Sequence, residues 1–281
     1  MPHREKRGRE GPGRGRVSLE TWSFRLVMGG LALLSFLLLL APAVVVIVVS
    51  FTSGYSLKFP PPGYSFRWYV SLLDAWQLQF AAGNSIQVAL ATTVIAVLLG
   101  VPAALAIGRS ASVRAKLLDS LFTSPLVLPA LSFGLAALMF FSQIGLPVSP
   151  LTLVIGHVVV CVPFVLRTTV ASVAQLDLSL LESSASLGAS RLYTFRRVTL
   201  PLIRPGILAG AFIAFMSSFD NVPVSLFLRD ARTDMLPIRM WQDLEGRLDV
   251  SIAAVSGVMI VVTLSLMILM ERLAGLSRRL R

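Results

Sequence analysis

Six stretches of this sequence, near 26–50, 85–107, 118–141, 151–173, 206–228 and 250–270, are each long and apolar enough to cross the hydrocarbon core of a bilayer, which takes about 20 helical residues. Lipid offers a backbone no hydrogen-bond partners, so runs of this kind must be helices that satisfy themselves. The expected fold class is an all-α membrane protein with six transmembrane helices. Composition agrees: 55% of the 281 residues are hydrophobic and only 14% are charged, far from the balance of a soluble domain. Pro42 in the first run and Pro125 and Pro129 in the third are expected to be tolerated, because neighbouring helices can take up the freed backbone groups. Arg167 interrupts the end of the fourth run and is expected to snorkel toward the nearer headgroups.

An even number of spans puts both ends of the chain on one side, and the basic residues say which. Of the 25 lysines and arginines, nineteen fall in the tail through Arg25, the 108–117 loop, the 167–204 stretch and the C-terminal tail, against six on the opposite side. The positive-inside rule makes the richer side cytoplasmic and so accounts for the net charge of +11 without nucleic acid. The expected organisation is a disordered basic cytoplasmic tail over 1–25, a first span at 26–50, an outer loop at 51–84 with an interfacial helix, a core of five spans over 85–273, and a cytoplasmic tail at 274–281. The interfacial helix is read from Trp68, Leu72, Trp76 and Phe80, which share one helical face; packing against other helices would explain the same stripe. A cleaved signal peptide ending at Ala41-Pro42-Ala43 is the competing reading of the first run, but the apolar residues continue to Ser50 and give a full span. The lone Cys161 excludes an intrachain disulfide and, like His157 four residues before it, reads as a packing residue.

Between the fourth and fifth spans lies a segment too polar for lipid, from Ser179 to Pro201. Ser179 followed by Glu182 has the pattern of a capping box and predicts a helix start. Gly188 suits the left-handed residue that ends a helix, after about two turns. Ser190 can cap a second short helix, with Pro201 and then Pro205-Gly206 closing it before the next span. Two short helices tethered between anchored spans could pass a push from a soluble partner into the bundle. An interfacial linker with no partner would look the same by composition.

Residue identity favours the first reading. Glu182-Ser-Ser-Ala-Ser-Leu-Gly188, nine residues, then Val198-Thr-Leu200-Pro201 resembles the signature loop of importer-type ABC permeases, E-A-A-three-G-nine-I-x-L-P. Ser183 and Ser184 replace the usual alanines and Val198 the isoleucine, with the spacing kept throughout. The resemblance runs from about residue 60 to the C-terminus and is to the type I, MetI-like permeases. Asn84-Ser85, Gly100-Val-Pro-Ala-Ala and Ser218-Phe-Asp-Asn-Val-Pro-Val-Ser-Leu-Phe-Leu are similar to its spermidine/putrescine branch. It implies a type I importer permease fold whose coupling helix, between the fourth and fifth spans, docks on an ATP-binding subunit through Glu182, Ser183, Ser184, Ala185, Leu187 and Gly188. It further implies an inner-membrane location, a paired ATPase, a second related permease as heterodimer or homodimer, and a periplasmic binding protein that delivers the solute.

The chain is not expected to be the motor. A phosphate-gripping loop needs Gly-Lys-Ser/Thr, and none of Lys6, Lys58 and Lys116 follows a glycine. No cofactor is expected on this chain, ATP and magnesium being used by the partner subunit. Asp220 is the one acidic residue expected well inside a span, where a carboxylate is costly unless it meets water, a partner or a cation. Together with Asn221 it is the candidate for the pathway of a cationic solute, or for a structural hydrogen bond. The competing classes are a membrane-embedded enzyme, which would want paired catalytic groups within the spans, and an ion-coupled carrier, which would more often show inverted halves.

Overall fold

The computed structural model describes residues 16–110, 112–247 and 249–274, and these are almost entirely helical apart from one isolated bridge between Thr52 and Tyr64. In chain order the helices are α1 (Arg16–Ser50), α2 (Arg67–Ser71), α3 (Trp76–Ile107), α4 (Val113–Thr123), α5 (Ala130–Gln143), α6 (Pro150–Ala174), α7 (Leu178–Ser186), α8 (Arg191–Thr194), α9 (Leu200–Phe219), α10 (Val222–Leu228), α11 (Leu236–Arg247) and α12 (Ser251–Ala274). Five described helices are long and apolar enough to span a membrane, and a bent pair, α4 with its following 3₁₀ turn plus α5, makes a sixth.

The core is a trio of α3, α6 and α9, brought together by glycines that remove side-chain bulk where helices meet. A Cβ on Gly100 of α3 would lie 3.1 Å from the Val165 side chain of α6. On α9, a Cβ at Gly206 would lie 2.0 Å from Ser172 Oγ, and one at Gly210 2.3 Å from Thr168 Oγ1. α6 starts at a reciprocal cap: Ser149 Oγ accepts from the Thr152 amide while Thr152 Oγ1 accepts from the Ser149 amide, with Pro150 in the first turn. Helix α1 lies at the periphery against α12, its flank otherwise open.

Several expectations from the sequence are corrected. The third span is not one helix over 118–141: it turns by 105° between Val127 and Ala130. Pro125 sits in a 3₁₀ turn (Ser124–Val127), and Leu128 is extended at ψ 139°, the conformation forced on a residue that precedes proline. The fifth does not run from 206 to 228 either. α9 ends at Phe219, Asp220 is its C-cap, and Asn221 Oδ1 accepts from the Val224 amide at 3.0 Å to start α10. At its other end α9 is not closed off from α8 by the prolines. A π turn (Phe195–Thr199) joins the two, and Pro201, which has no N–H to give to that turn, follows it at the second residue of α9. The aromatic stripe, finally, is split between two helices. The chain turns at 72–75, where the Gln79 side chain donates through Nε2 to the carbonyls of Leu72 and Leu73 at 2.8 and 2.7 Å, so Trp68 lies on α2 while Trp76 opens α3.

The N-terminal segment expected to be disordered to residue 25 is helical from Arg16; residues 1–15 and 275–281, the outer parts of the two expected tails, lie outside the described residues. Arg167 does not point alone toward headgroups: its guanidinium pairs with Asp119 of α4 at 3.2 Å and reaches Thr123 Oγ1 at 3.4 Å.

Candidate functional site

The segment between α6 and α9 forms two short helices joined by a sharp turn. The cap of α7 is Asp177 rather than Ser179: its Oδ1 accepts from the Ser179 amide at 2.9 Å, which places the helix start two residues earlier than the serine and glutamate pattern suggests. That amide holds the Asp177 carboxyl below the usual carboxylate range. At the other end Gly188 has φ +77°, a left-handed conformation in which a Cβ would be strained. The Gly188 amide donates to Ala185 O at 2.9 Å and the Ala189 amide to Ser184 O at 3.1 Å, the paired bonds of a Schellman stop.

After the turn Ser190 Oγ accepts from the Tyr193 amide and starts α8. The hydroxyls of Ser184 and Thr194 meet at 2.8 Å, clamping α7 against α8. The pair presents a concavity of about 500 Å³ lined by Ser184, Leu187, Gly188, Ala189, Ser190 and Tyr193. Glu182, Ser183 and Ala185 are exposed beside it, and Leu187 is 87% exposed. Leu187, the C-cap of α7, stands open beside a short helix that is capped at both ends. The six residues singled out in the sequence thus lie together on one element.

Asp220 and Asn221 lie elsewhere, at the far end of α9, which at 1.5 Å per residue is about 30 Å long. Asp220 is exposed at the edge of a mostly apolar groove of about 400 Å³ formed with Met216, Phe219, Leu236, Met240 and Met259. Among the described residues none donates a hydrogen bond to its carboxylate, and Asn221 is occupied with capping α10. The structural pairing of Asp220 with Asn221 is therefore not seen.

Sequence reasoning missed what fixes this break. His157 of α6 is fully buried, with Nδ1 2.8 Å from Ser218 Oγ in α9 and Nε2 3.0 Å from Ser225 Oγ in α10. One imidazole thus ties both sides of the interruption to a third helix. Neighbouring Gly156 lets α10 seat closely, since a Cβ there would lie 2.4 Å from Leu228 Cδ1. Nearby, Asn84 donates to Asp234 O at 3.0 Å and Ser85 Oγ accepts from the Leu236 amide at 2.9 Å, pinning the loop before α11 to the start of α3. In that loop the Thr233 hydroxyl holds the Asp230 carboxyl below its usual range. No three of His, Cys, Asp and Glu come together as a metal site among the described residues.

The profile of the family described as binding-protein-dependent transport system inner membrane component matches residues 96–279, more than half of the chain. The putrescine transport system permease protein PotI of Escherichia coli strain K12 is 32% identical over 213 residues, covering 73% of this chain and 75% of that protein. The spermidine/putrescine transport system permease protein PotC of the same strain is 26% identical over 251 residues, 89% of this chain and 94% of that one. Among solved structures, a bacterial ABC transporter involved in the import of the acidic polysaccharide alginate superposes with a TM-score of 0.66 at 16% identity, over 94% of this chain and 99% of that one. At that identity the likeness is one of fold.

Proposed function

The chain belongs to the binding-protein-dependent transport system inner membrane components, the permease subunits of ABC importers, and from that footing we propose how it works and what it carries. It is a transport subunit and not an enzyme, and the proposal concerns its partners, orientation and cargo. A separate pair of ATPase subunits, using ATP and magnesium, docks on Glu182, Ser183, Ser184, Ala185, Leu187 and Gly188. The observation that carries this is α7 itself, capped at both ends, exposed, and linked rigidly to α8 and α9 so that a displacement is delivered without unravelling a span. Docking drives alternating access only if the ATPase contacts this loop differently in its two states, because equal contacts shift no equilibrium.

Both termini are cytoplasmic in this reading, supported by nineteen basic residues on that side against six. A periplasmic binding protein delivers the solute, as in a solved alginate transporter in complex with a solute-bound periplasmic protein. A second permease, related or identical, completes the pathway. The cargo is a small cation of the polyamine class. Supporting this are the names of the permeases at 26% and 32% identity and the unpaired Asp220 carboxylate, which is placed to receive an ammonium group at the outer end of α9.

The test is purification of the complex from membranes, followed by uptake of labelled putrescine into proteoliposomes. An ATPase subunit is expected to accompany the unaltered chain and to be lost with Glu182→Lys. Asp220→Asn is expected to impair uptake with assembly and basal ATP hydrolysis kept. Normal uptake by Asp220→Asn removes the pathway role, and retention of the ATPase by Glu182→Lys removes the docking role.

A further inference from the structure

We propose that the ion pair between Asp119 and Arg167 is a strut that carries movement of the α7–α8 segment into the kinked third span, so that both residues position that span during transport. The inference rests on the docking reading above but concerns a joint remote from the docking surface.

Helix α7 is joined to the bundle at its two ends, through α6 upstream and through α8 and the π turn into α9 downstream. The α3, α6 and α9 trio packs closely at Gly100 and interlocks at Gly206 and Gly210, where there is no room for a methyl group, so a push on α7 reaches it as one body. The third span stands outside this trio. Its outer limb α5 packs chiefly on α10, and the 105° turn at Pro125 and Pro129 decouples that limb from α4. α4 itself meets the trio through Ala115 and Phe122, packed against Ala104, Ile107 and Leu166, and a directional polar tie beside that apolar contact would make the third span follow the trio.

Arg167 is placed to do so. It lies on α6 seven residues before Ala174, or about 10 Å from the cytoplasmic end of that helix in the orientation proposed. Its NH1 is 3.2 Å from Asp119 Oδ2 and its NH2 is 3.4 Å from Thr123 Oγ1, on successive turns of α4. The Thr123 hydroxyl also bonds Asp119 O at 2.7 Å. The loop below is fastened as well, Arg109 donating to Leu176 O at 3.3 Å between the end of α3 and the start of the α7 segment. The pair is partly exposed, Arg167 and Asp119 keeping 53% and 31% of their side-chain surface, so its hold on α4 comes from gripping Asp119 and Thr123 at once and not from burial. Two arrangements of α4, with and without this contact, are the kind of discrete element that can transmit a displacement.

The experiment uses the complex of this chain with its ATPase and binding-protein partners in proteoliposomes. Asp119→Asn, Arg167→Gln and the exchange Asp119→Arg with Arg167→Asp are compared with the unaltered chain. The readouts are stimulation of ATP hydrolysis by the liganded binding protein and the spin-label distance between Val113→Cys and Gln143→Cys, in a Cys161→Ser background, with and without nucleotide. Single variants are expected to keep the ATPase subunit bound, to lose stimulation by roughly 2- to 30-fold, and to show a nucleotide-independent distance across the bend. The exchange is expected to regain both. Glu182→Lys, run alongside, is expected to lose the ATPase subunit itself, which separates failure of docking from failure of the strut. Undiminished stimulation in the single variants, or an exchange as impaired as they are, overturns the strut.

Discussion

Replacing His157 with alanine tests whether the interruption at Asp220 and Asn221 is held by one side chain. The imidazole is fully buried and uses both nitrogens, one donating and one accepting, on hydroxyls 61 and 68 residues away in sequence. Hydrogen bonds between membrane helices average about 0.6 kcal/mol and reach about 1.7, because hydroxyls can turn to other partners. Two such bonds contribute about 1–3 kcal/mol, and the space left by the ring adds about 1 kcal/mol more for lost packing. The expected total is about 2–4 kcal/mol. At about 2–4 °C per kcal/mol for a chain of this size class, the midpoint of thermal unfolding in detergent falls by roughly 4–16 °C. Ser218→Ala and Ser225→Ala are each expected to cost about 1 kcal/mol. The triple variant His157→Leu, Ser218→Ala, Ser225→Ala is expected to be more stable than His157→Ala, since it leaves no buried polar group without a partner. A midpoint for His157→Ala within about 2 °C of the parent, or a triple variant less stable than the single, refutes the reasoning.

Gly188→Ala places a methyl group on a left-handed residue and is expected to destabilise the α7 stop by about 1 kcal/mol; weaker retention of the ATPase subunit with unchanged thermal unfolding of the spans is the check. Gly210→Leu forces a side chain against Thr168 Oγ1 and Val165, 2.3 and 2.8 Å from a Cβ, and is expected to cost about 1–3 kcal/mol, seen as a lowered unfolding midpoint. Asp177 titrates below its ordinary value, so its capping contribution is present above the unfolded carboxylate pKa and is lost as pH falls through the folded one. Amide-exchange protection of Ser179, corrected for the intrinsic rate, is therefore expected to fall on acidification in the parent and to be low at every pH in Asp177→Ala.

Much of the bundle was legible because lipid leaves a spanning chain few choices. The fourth span and the left-handed stop at Gly188 are as the residues imply. What hydropathy concealed were the breaks. Asn221 followed by Pro223 is a helix-start pattern inside an apolar run, and a window averaging about 19 residues passes over it. Neighbouring helices can tolerate Pro125 and Pro129 as missing donors, but Pro129 also disfavours a helical conformation at Leu128, and there the span breaks. Asp177 and Ser179 are both good capping residues; which one served was settled by the reach of a carboxylate to an amide two residues on. His157 sits at a helix interface as its place in the run implies, but its partners and those of Arg167 were not legible, because they lie 61, 68 and 44 residues away and no local pattern points to them.

The central claim is that work enters this bundle through α7. A photoreactive amino acid placed at position 187, at the open C-terminal cap of that helix, tests it in intact cells: irradiation is expected to join the chain to an ATP-hydrolysing subunit, at a yield that changes when nucleotide is trapped. Capture of a periplasmic protein from position 187 instead, or a yield indifferent to nucleotide, would contradict it.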